Sequence, residues 1–139
     1  MLIALIDRTH TQHDAAHDWF AAHQSQSWAT CPLTENGVLR IVGHARYPNT
    51  PGTPAAVMPL MTAFRQVPGH VFWPDDISLL DNPQIDATRL SNSAQVTDSY
   101  LLALAASNGG RLASFDRRLV TSADRGGAKC LHVIGRAVV

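Results

Sequence analysis

Between Thr97 and Asn108 the chain is apolar on nearly every side of a helix. Tyr100, Leu101, Leu102, Leu104 and Ala105 leave no broad polar face. A helix of that kind must be packed on several sides, and its flanks supply the layers. Asn108-Gly109-Gly110 closes it, and Thr97 reads as its N-cap. The strand Arg111–Phe115 runs straight into Asp116, a short basic helix follows, and Cys130–Ile134 forms a last strand. Upstream, the short apolar strands Ser27–Cys31 and His70–Trp73 alternate with helical spacing over 11–25, 33–44 and 54–66. Thr53-Pro54 opens the last of these as cap and first helical residue, and Pro68-Gly69 ends it. Residues 75–90 are expected as two short helical pieces broken at Asn82-Pro83. Short strands alternating with helices predict an α/β fold, a parallel sheet covered on both faces, in one domain spanning residues 1–139.

The size of the chain, 139 residues, suits one core that needs no disulfide staple. Hydrophobic residues make up 45% and charged residues 16%, which excludes a disordered or fibrous chain. The longest apolar runs are too short to span a membrane. Two cysteines, Cys31 and Cys130, make no framework, so a reduced cytoplasmic setting is expected. The net charge of zero excludes a generally basic nucleic-acid coat. Charge is nevertheless segregated. Residues 75–110 hold five acids against Arg89, and residues 111–139 hold six bases against Asp116 and Asp124. Ten of the eleven bases are arginine, the better fork for phosphate or carboxylate.

Three acids fall where a strand ends or a helix begins. Glu35, the chain's single glutamate, follows the strand ending at Cys31. Asp98 sits in the first turn of the apolar helix, and Asp116 at the carboxyl end of strand 111–115. In an open α/β sheet that edge is where ligands bind. Each acid alone is equally a helix-dipole partner with no further role. Three converging carboxylates without lysines would repel one another unless a hard divalent cation, Mg²⁺ or Mn²⁺, neutralised them.

The run from Ser91 to Leu119, SNSAQVTDSYLLALAASNGGRLASFDRRL, closely resembles the carboxyl half of PIN-domain ribonucleases, and more narrowly the VapC-type toxins of bacterial toxin–antitoxin pairs. The matching elements are Gln95-Val96-Thr97-Asp98, the Leu/Ala helix, Gly109-Gly110 and Leu112 through Leu119. Leu33-Thr34-Glu35 with Val38-Leu39-Arg40-Ile41 resembles the family's second acidic motif. Tyr47-Pro48-Asn49 resembles a loop of one VapC branch, and His10 to Phe20 the family's second helix. The resemblance implies a PIN-like parallel sheet of about four to five strands flanked by helices. It implies metal-dependent cleavage of RNA phosphodiester bonds, with Glu35, Asp98 and Asp116 as catalytic metal ligands for one or two Mg²⁺ or Mn²⁺ ions. Thr34 and Ser114 would be hydroxyls orienting those acids or the water. Arg117 and Arg118 would hold RNA phosphates or receive a cognate antitoxin, and the chain would form a homodimer. Met58, Met61 and Phe64 on helix 54–66, with segment 33–44, are candidates for its apolar patch.

The family begins with a strand ending in aspartate, a variable residue and asparagine, then an apolar run. This chain starts inside that run, at Met1-Leu2-Ile3-Ala4-Leu5. The natural product is therefore expected to be longer, or the protein to be a degenerate PIN fold that binds antitoxin or RNA without cutting. A DNA-directed nuclease of the same fold is the third reading. Asp7 could replace the first aspartate only if residues 1–6 formed a strand. His13 and His17, four apart on one helix, have the spacing to share a transition metal, but capping and packing account for them as well.

Overall fold

The computed structural model describes residues 1–135. Arg136, one of the six carboxyl-terminal bases, lies outside the described residues. The chain forms two compact units, Met1–Asp75 and Asp76–Val139. Each carries one two-stranded parallel sheet among its helices, an α/β arrangement. No helix of the described residues is long and apolar enough to cross a membrane.

In the first unit, helix α1 (Leu2–Ile6) leads into α2 (His13–His23), strand β1 (Trp28–Thr30), α3 (Pro32–Val42), α4 (Pro54–Arg65) and β2 (His70–Phe72). Residues 2–6 are helical, so the strand that would have recruited Asp7 is not formed. Two carbonyls near the end of α1 have specific side-chain donors. His13 Nδ1 donates to the Ala4 carbonyl at 2.7 Å, and His17 Nε2 to the Leu5 carbonyl at 3.0 Å. The two rings lie 4.2 Å apart, each with one nitrogen committed to capping rather than to metal.

Helices α3 and α4 both open with proline at the first turn, where its missing N–H costs nothing. Thr53 Oγ1 accepts from the Ala56 amide at 3.2 Å, as its capping position requires. Val38 and Val42 of α3 pack on Val57 and Met61 of α4, with Leu2, Ile3 and Ile6 of α1 against them. Met61, expected on a surface patch, is core at 5% exposed, and Phe64 is half-buried. Met58 and Leu60 remain exposed on α4, and Ile41 on α3. Phe64 joins Phe20 and Trp28 in an aromatic cluster with centroids 4.8–5.6 Å apart. Strands β1 and β2 pair in parallel with Trp28 opposite His70 and Thr30 opposite Phe72.

In the second unit a 3₁₀ turn at Ser93–Gln95 precedes α5 (Val96–Ser107), β3 (Leu112–Ser114), α6 (Gly127–Cys130) and β4 (Leu131–Val133). Helix α5 begins before Thr97, because Asn92 and Gln95 form a reciprocal capping box one turn upstream. Its far end closes as expected. The Gly110 amide reaches the Ala105 carbonyl at 2.8 Å and Gly109 reaches Ala106 at 3.1 Å, with Gly109 at φ +69. Leu102, Ala103, Leu104 and Ala105 are buried, as an apolar circumference demands.

Two expected helical stretches take other forms. Residues 75–90 hold one 3₁₀ turn, Ala87–Arg89. Asn82 and Asp86 bond the backbone amides two residues on, at 2.8 and 3.1 Å, which competes with helix. Ile85 instead bridges to Asp124 in antiparallel fashion. The basic stretch after Asp116 is a turn, held by the Asp116 carboxylate accepting from the Arg118 amide at 2.8 Å. Strands β3 and β4 pair in parallel, Leu112 opposite Leu131 and Ser114 opposite Val133.

Candidate active site

Glu35 lies in the first turn of α3, where a carboxylate favours the helix dipole. It is half-buried and engaged on both oxygens. Thr30 Oγ1, at the end of β1, donates to Oε2 at 2.6 Å. The Arg65 guanidinium stands 3.5 Å from Oε1 and lies over the Phe72 ring, 5.1 Å from its centroid. Thr30 is itself 3% exposed and also contacts His70 Nε2 at 2.7 Å. Burial, and then the nearby Arg65 charge, lower the His70 imidazole from its ordinary value, with Glu35 opposing.

Thr34, the hydroxyl expected to orient Glu35, turns the other way. Its Oγ1 accepts from the Cys31 amide at 3.1 Å and donates to the Cys31 carbonyl at 3.0 Å. Cys31 is buried, and burial raises its thiol. Thr30 and His70 were not legible as partners of Glu35. Thr30 reads as an interior strand residue, and His70 is 40 residues away from it.

In the second unit, Asp98 is half-buried in the first turn of α5 and Asp116 exposed just beyond β3. These two carboxylates do feel one another. Burial first, and then the Asp116 charge, raise the Asp98 carboxyl above its usual range. Ser114 contributes through the backbone: its Oγ accepts from the Asp116 amide at 3.0 Å and so shapes the turn that presents Asp116. Arg117 and Arg118 are exposed; Arg117 reaches the Gly135 carbonyl at 3.1 Å. Within neither unit do three His, Cys, Asp or Glu side chains of the described residues gather into a metal-holding group. Asp98 and Asp116 are a hard-oxygen donor pair whose mutual repulsion a divalent cation would relieve, so their chemistry fits such an ion.

Asp124 is a further acid that the sequence did not single out. It is 6% exposed, and among the described residues neither carboxylate oxygen has a hydrogen-bond partner. Burial pushes its carboxyl up to about 6, while the neighbouring Ser99 hydroxyl, oriented toward it, pulls the other way. Asp7 is a local organiser. Its carboxylate accepts from the Thr9 amide at 3.0 Å, from the Asn49 side chain at 3.1 Å and from the Tyr47 hydroxyl.

No family model matches the chain. Individual relatives do. It is 42% identical over 126 residues to Ribonuclease VapC39 of Mycobacterium tuberculosis, covering 91% of each chain. It is 38% identical over 129 residues to Ribonuclease VapC44 of the same organism, covering 93% of this chain and 90% of that one. Ribonuclease VapC38 matches at 38% over 125 residues, 89% of this chain and 86% of the relative. Likeness at this level along nearly the full length defines a class, the PIN-like ribonucleases. Within that class the chain belongs to the VapC family.

Proposed function

We propose that this chain is the RNA-cleaving toxin of a toxin–antitoxin pair, using Mg²⁺ or Mn²⁺ held by Glu35, Asp98 and Asp116. The observation that carries this reading is the likeness to VapC ribonucleases along nine-tenths of the chain. The Asp98–Asp116 repulsion supports it, since an all-oxygen acidic pair is what a hard cation stabilises. A bound ion of this kind supplies Lewis acidity toward water and the phosphate oxygens.

The protein's own groups do the rest. The Ser114 hydroxyl fixes the turn that presents Asp116. Arg117 and Arg118 offer guanidinium forks to RNA phosphates or to an antitoxin's acidic segment. The exposed Ile41, Met58 and Leu60 suit a homodimer contact. RNA as substrate puts the protein in the cytoplasm.

The experiment is RNA cleavage by the purified chain with Mg²⁺, with a chelator, and in Glu35→Gln, Asp98→Asn and Asp116→Asn. Cleavage that needs metal and all three acids is expected. Full activity in any of the three variants overturns that residue's assignment. The alternative reading is a catalytically degenerate PIN-fold protein that binds antitoxin or RNA without cutting. A wild-type chain that binds RNA or antitoxin without cutting it would establish that one.

A further inference from the structure

We propose that Thr30 and His70 are positioning residues for Glu35, joined in one directed hydrogen-bond chain from the imidazole through the hydroxyl to the carboxylate. The inference rests on the reading that Glu35 belongs to the ribonuclease site. It names two residues that the acidic motif does not contain.

The direction of the chain follows from proton counting. A threonine hydroxyl has one proton and two lone pairs. At 2.6 Å that hydroxyl donates to the Glu35 carboxylate at Oε2, so its one proton is committed there. The contact of the same oxygen with His70 Nε2 at 2.7 Å therefore needs its proton from the ring. His70 carries hydrogen on Nε2, donates to Thr30, and keeps that hydroxyl from turning away from Glu35.

The strands hold this chain in register. Trp28 stands opposite His70 in the parallel pair β1–β2, and their rings pack 4.6 Å apart. Residues two apart on a strand share a face, so Trp28 and Thr30 flank the imidazole. The Thr30 carbonyl accepts from the Trp73 amide at 2.9 Å, which extends the ladder past the last paired residue. Thr30 is 3% exposed, so water is not available to replace either of its partners. On the far side of the carboxylate, Arg65 opposes Oε1 at 3.5 Å. Glu35 is thus oriented at one oxygen by a buried neutral donor and faces a partly exposed cation at the other. The hydroxyl is not needed for the backbone pairing of β1, where a β-branched valine would serve as well. Partners that orient an acidic ligand in this way typically change metal affinity or activity by about 10- to 100-fold when removed.

Glu35 is the only glutamate in the chain, which gives the test a clean probe. Glutamate labelled with ¹³C at the side-chain carboxyl yields a single resonance, readable in the metal-free protein whether or not it cuts RNA. Thr30→Val and His70→Phe remove the donors while keeping shape and ring packing. Thr30→Ser and His70→Gln restore a donor near the original atom. The expected result is a displaced Glu35 line in Thr30→Val and His70→Phe at fixed pH, returned toward its wild-type position in Thr30→Ser and His70→Gln. In RNA cleavage kcat falls about 10- to 100-fold in the first pair with KM for RNA within about twofold, and the second pair recovers it. Melting curves establish that each variant is folded. An unmoved carboxyl line in folded Thr30→Val and His70→Phe overturns the proposal, as does equal impairment of conservative and non-conservative variants. Wild-type cleavage by Glu35→Gln would instead overturn the assignment of Glu35 to the site, leaving the hydrogen-bond chain to be judged by the resonance alone.

Discussion

Arg65 reaches the Glu35 carboxylate at 3.5 Å while its guanidinium stacks over Phe72 at 5.1 Å. The arginine side chain is 41% exposed, so the ion pair itself contributes only about 0–1 kcal/mol to stability. Its larger consequence is competition, because a cation beside Glu35 opposes the approach of another. Arg65→Gln should leave the melting temperature nearly unchanged and lower the Mg²⁺ needed for half-maximal cleavage roughly two- to fivefold, the equivalent of about 0.5–1 kcal/mol. A raised Mg²⁺ requirement would show that Arg65 aids the site instead.

Asp98 gives a prediction of opposite signs for activity and stability. Its folded-state pKa is raised by burial and by Asp116, so ionising it costs stability. That cost is absent at low pH, where folded and unfolded chains are both protonated. It grows as pH rises through the ordinary carboxylate range and is complete above the raised folded value. Asp98→Asn removes it. Near pH 7 without metal, the variant should melt at the wild-type temperature or roughly 1–4 °C above it. Its RNA cleavage should fall by roughly a hundredfold or more. Added Mg²⁺ should raise the melting temperature of the wild type more than that of the variant. Calorimetry with and without the ion checks all three signs.

What could be read from residues alone was mostly local chemistry. Thr53-Pro54 and Asn108-Gly109-Gly110 mark helix ends because the cap lies within a few residues of the bond it makes. Asp98 and Asp116 were visible for the same reason, each at the end of an element. Asn92 and Gln95 also form a local box, but the stronger apolar run starting after Thr97 concealed it. Thr34 was named through the family resemblance, as a hydroxyl orienting the acids or the water. Its position in the first turn makes the Cys31 backbone the nearer acceptor, and the true partner lies on the strand before. Asp124 sits in a polar run that reads as surface. The bridge from Ile85 back across residues 123–125 brings a distant segment against it, and no sequence periodicity encodes that pairing.

Asp124 should leave a signature in the pH dependence of stability. Its carboxyl is raised to about 6 from the ordinary value of 3.8. The folded chain therefore binds the proton more tightly than the unfolded one. Stability from this group is greatest below the unfolded value and is lost as pH rises through about 4 to 6. Above that window a buried charge persists. Asp124→Asn should gain stability relative to the wild type as pH rises from 4 to 7, then hold a constant difference toward pH 8. Urea unfolding across that range measures the difference directly. A difference independent of pH would show that Asp124 titrates alike in both states.

Helix α3 and its end contain two glycines for which the same substitution should act in opposite directions. Gly37 lies mid-helix, and a Cβ added there meets nothing within 4 Å. Alanine at that position relieves the backbone entropy that glycine costs in a helix and should stabilise the protein by about 0.5–1 kcal/mol. Gly43 caps the same helix at φ -79, a conformation alanine adopts without strain. Space is the obstacle there, since its Cβ would run into the Leu39 carbonyl of α3 itself and stand 2.7 Å from the Pro54 backbone, where α4 begins. Gly43→Ala must distort the last turn of α3 and push it from α4 at the end nearest Val42 and Val57, both core residues 3% and 0% exposed. Overpacking of that kind costs about 1–3 kcal/mol. Denaturant midpoints for the two single variants should therefore fall on either side of the wild type. A Gly43→Ala midpoint equal to the wild-type value would mean that the Pro54 turn yields freely and that the α3–α4 contact is looser than its core residues indicate.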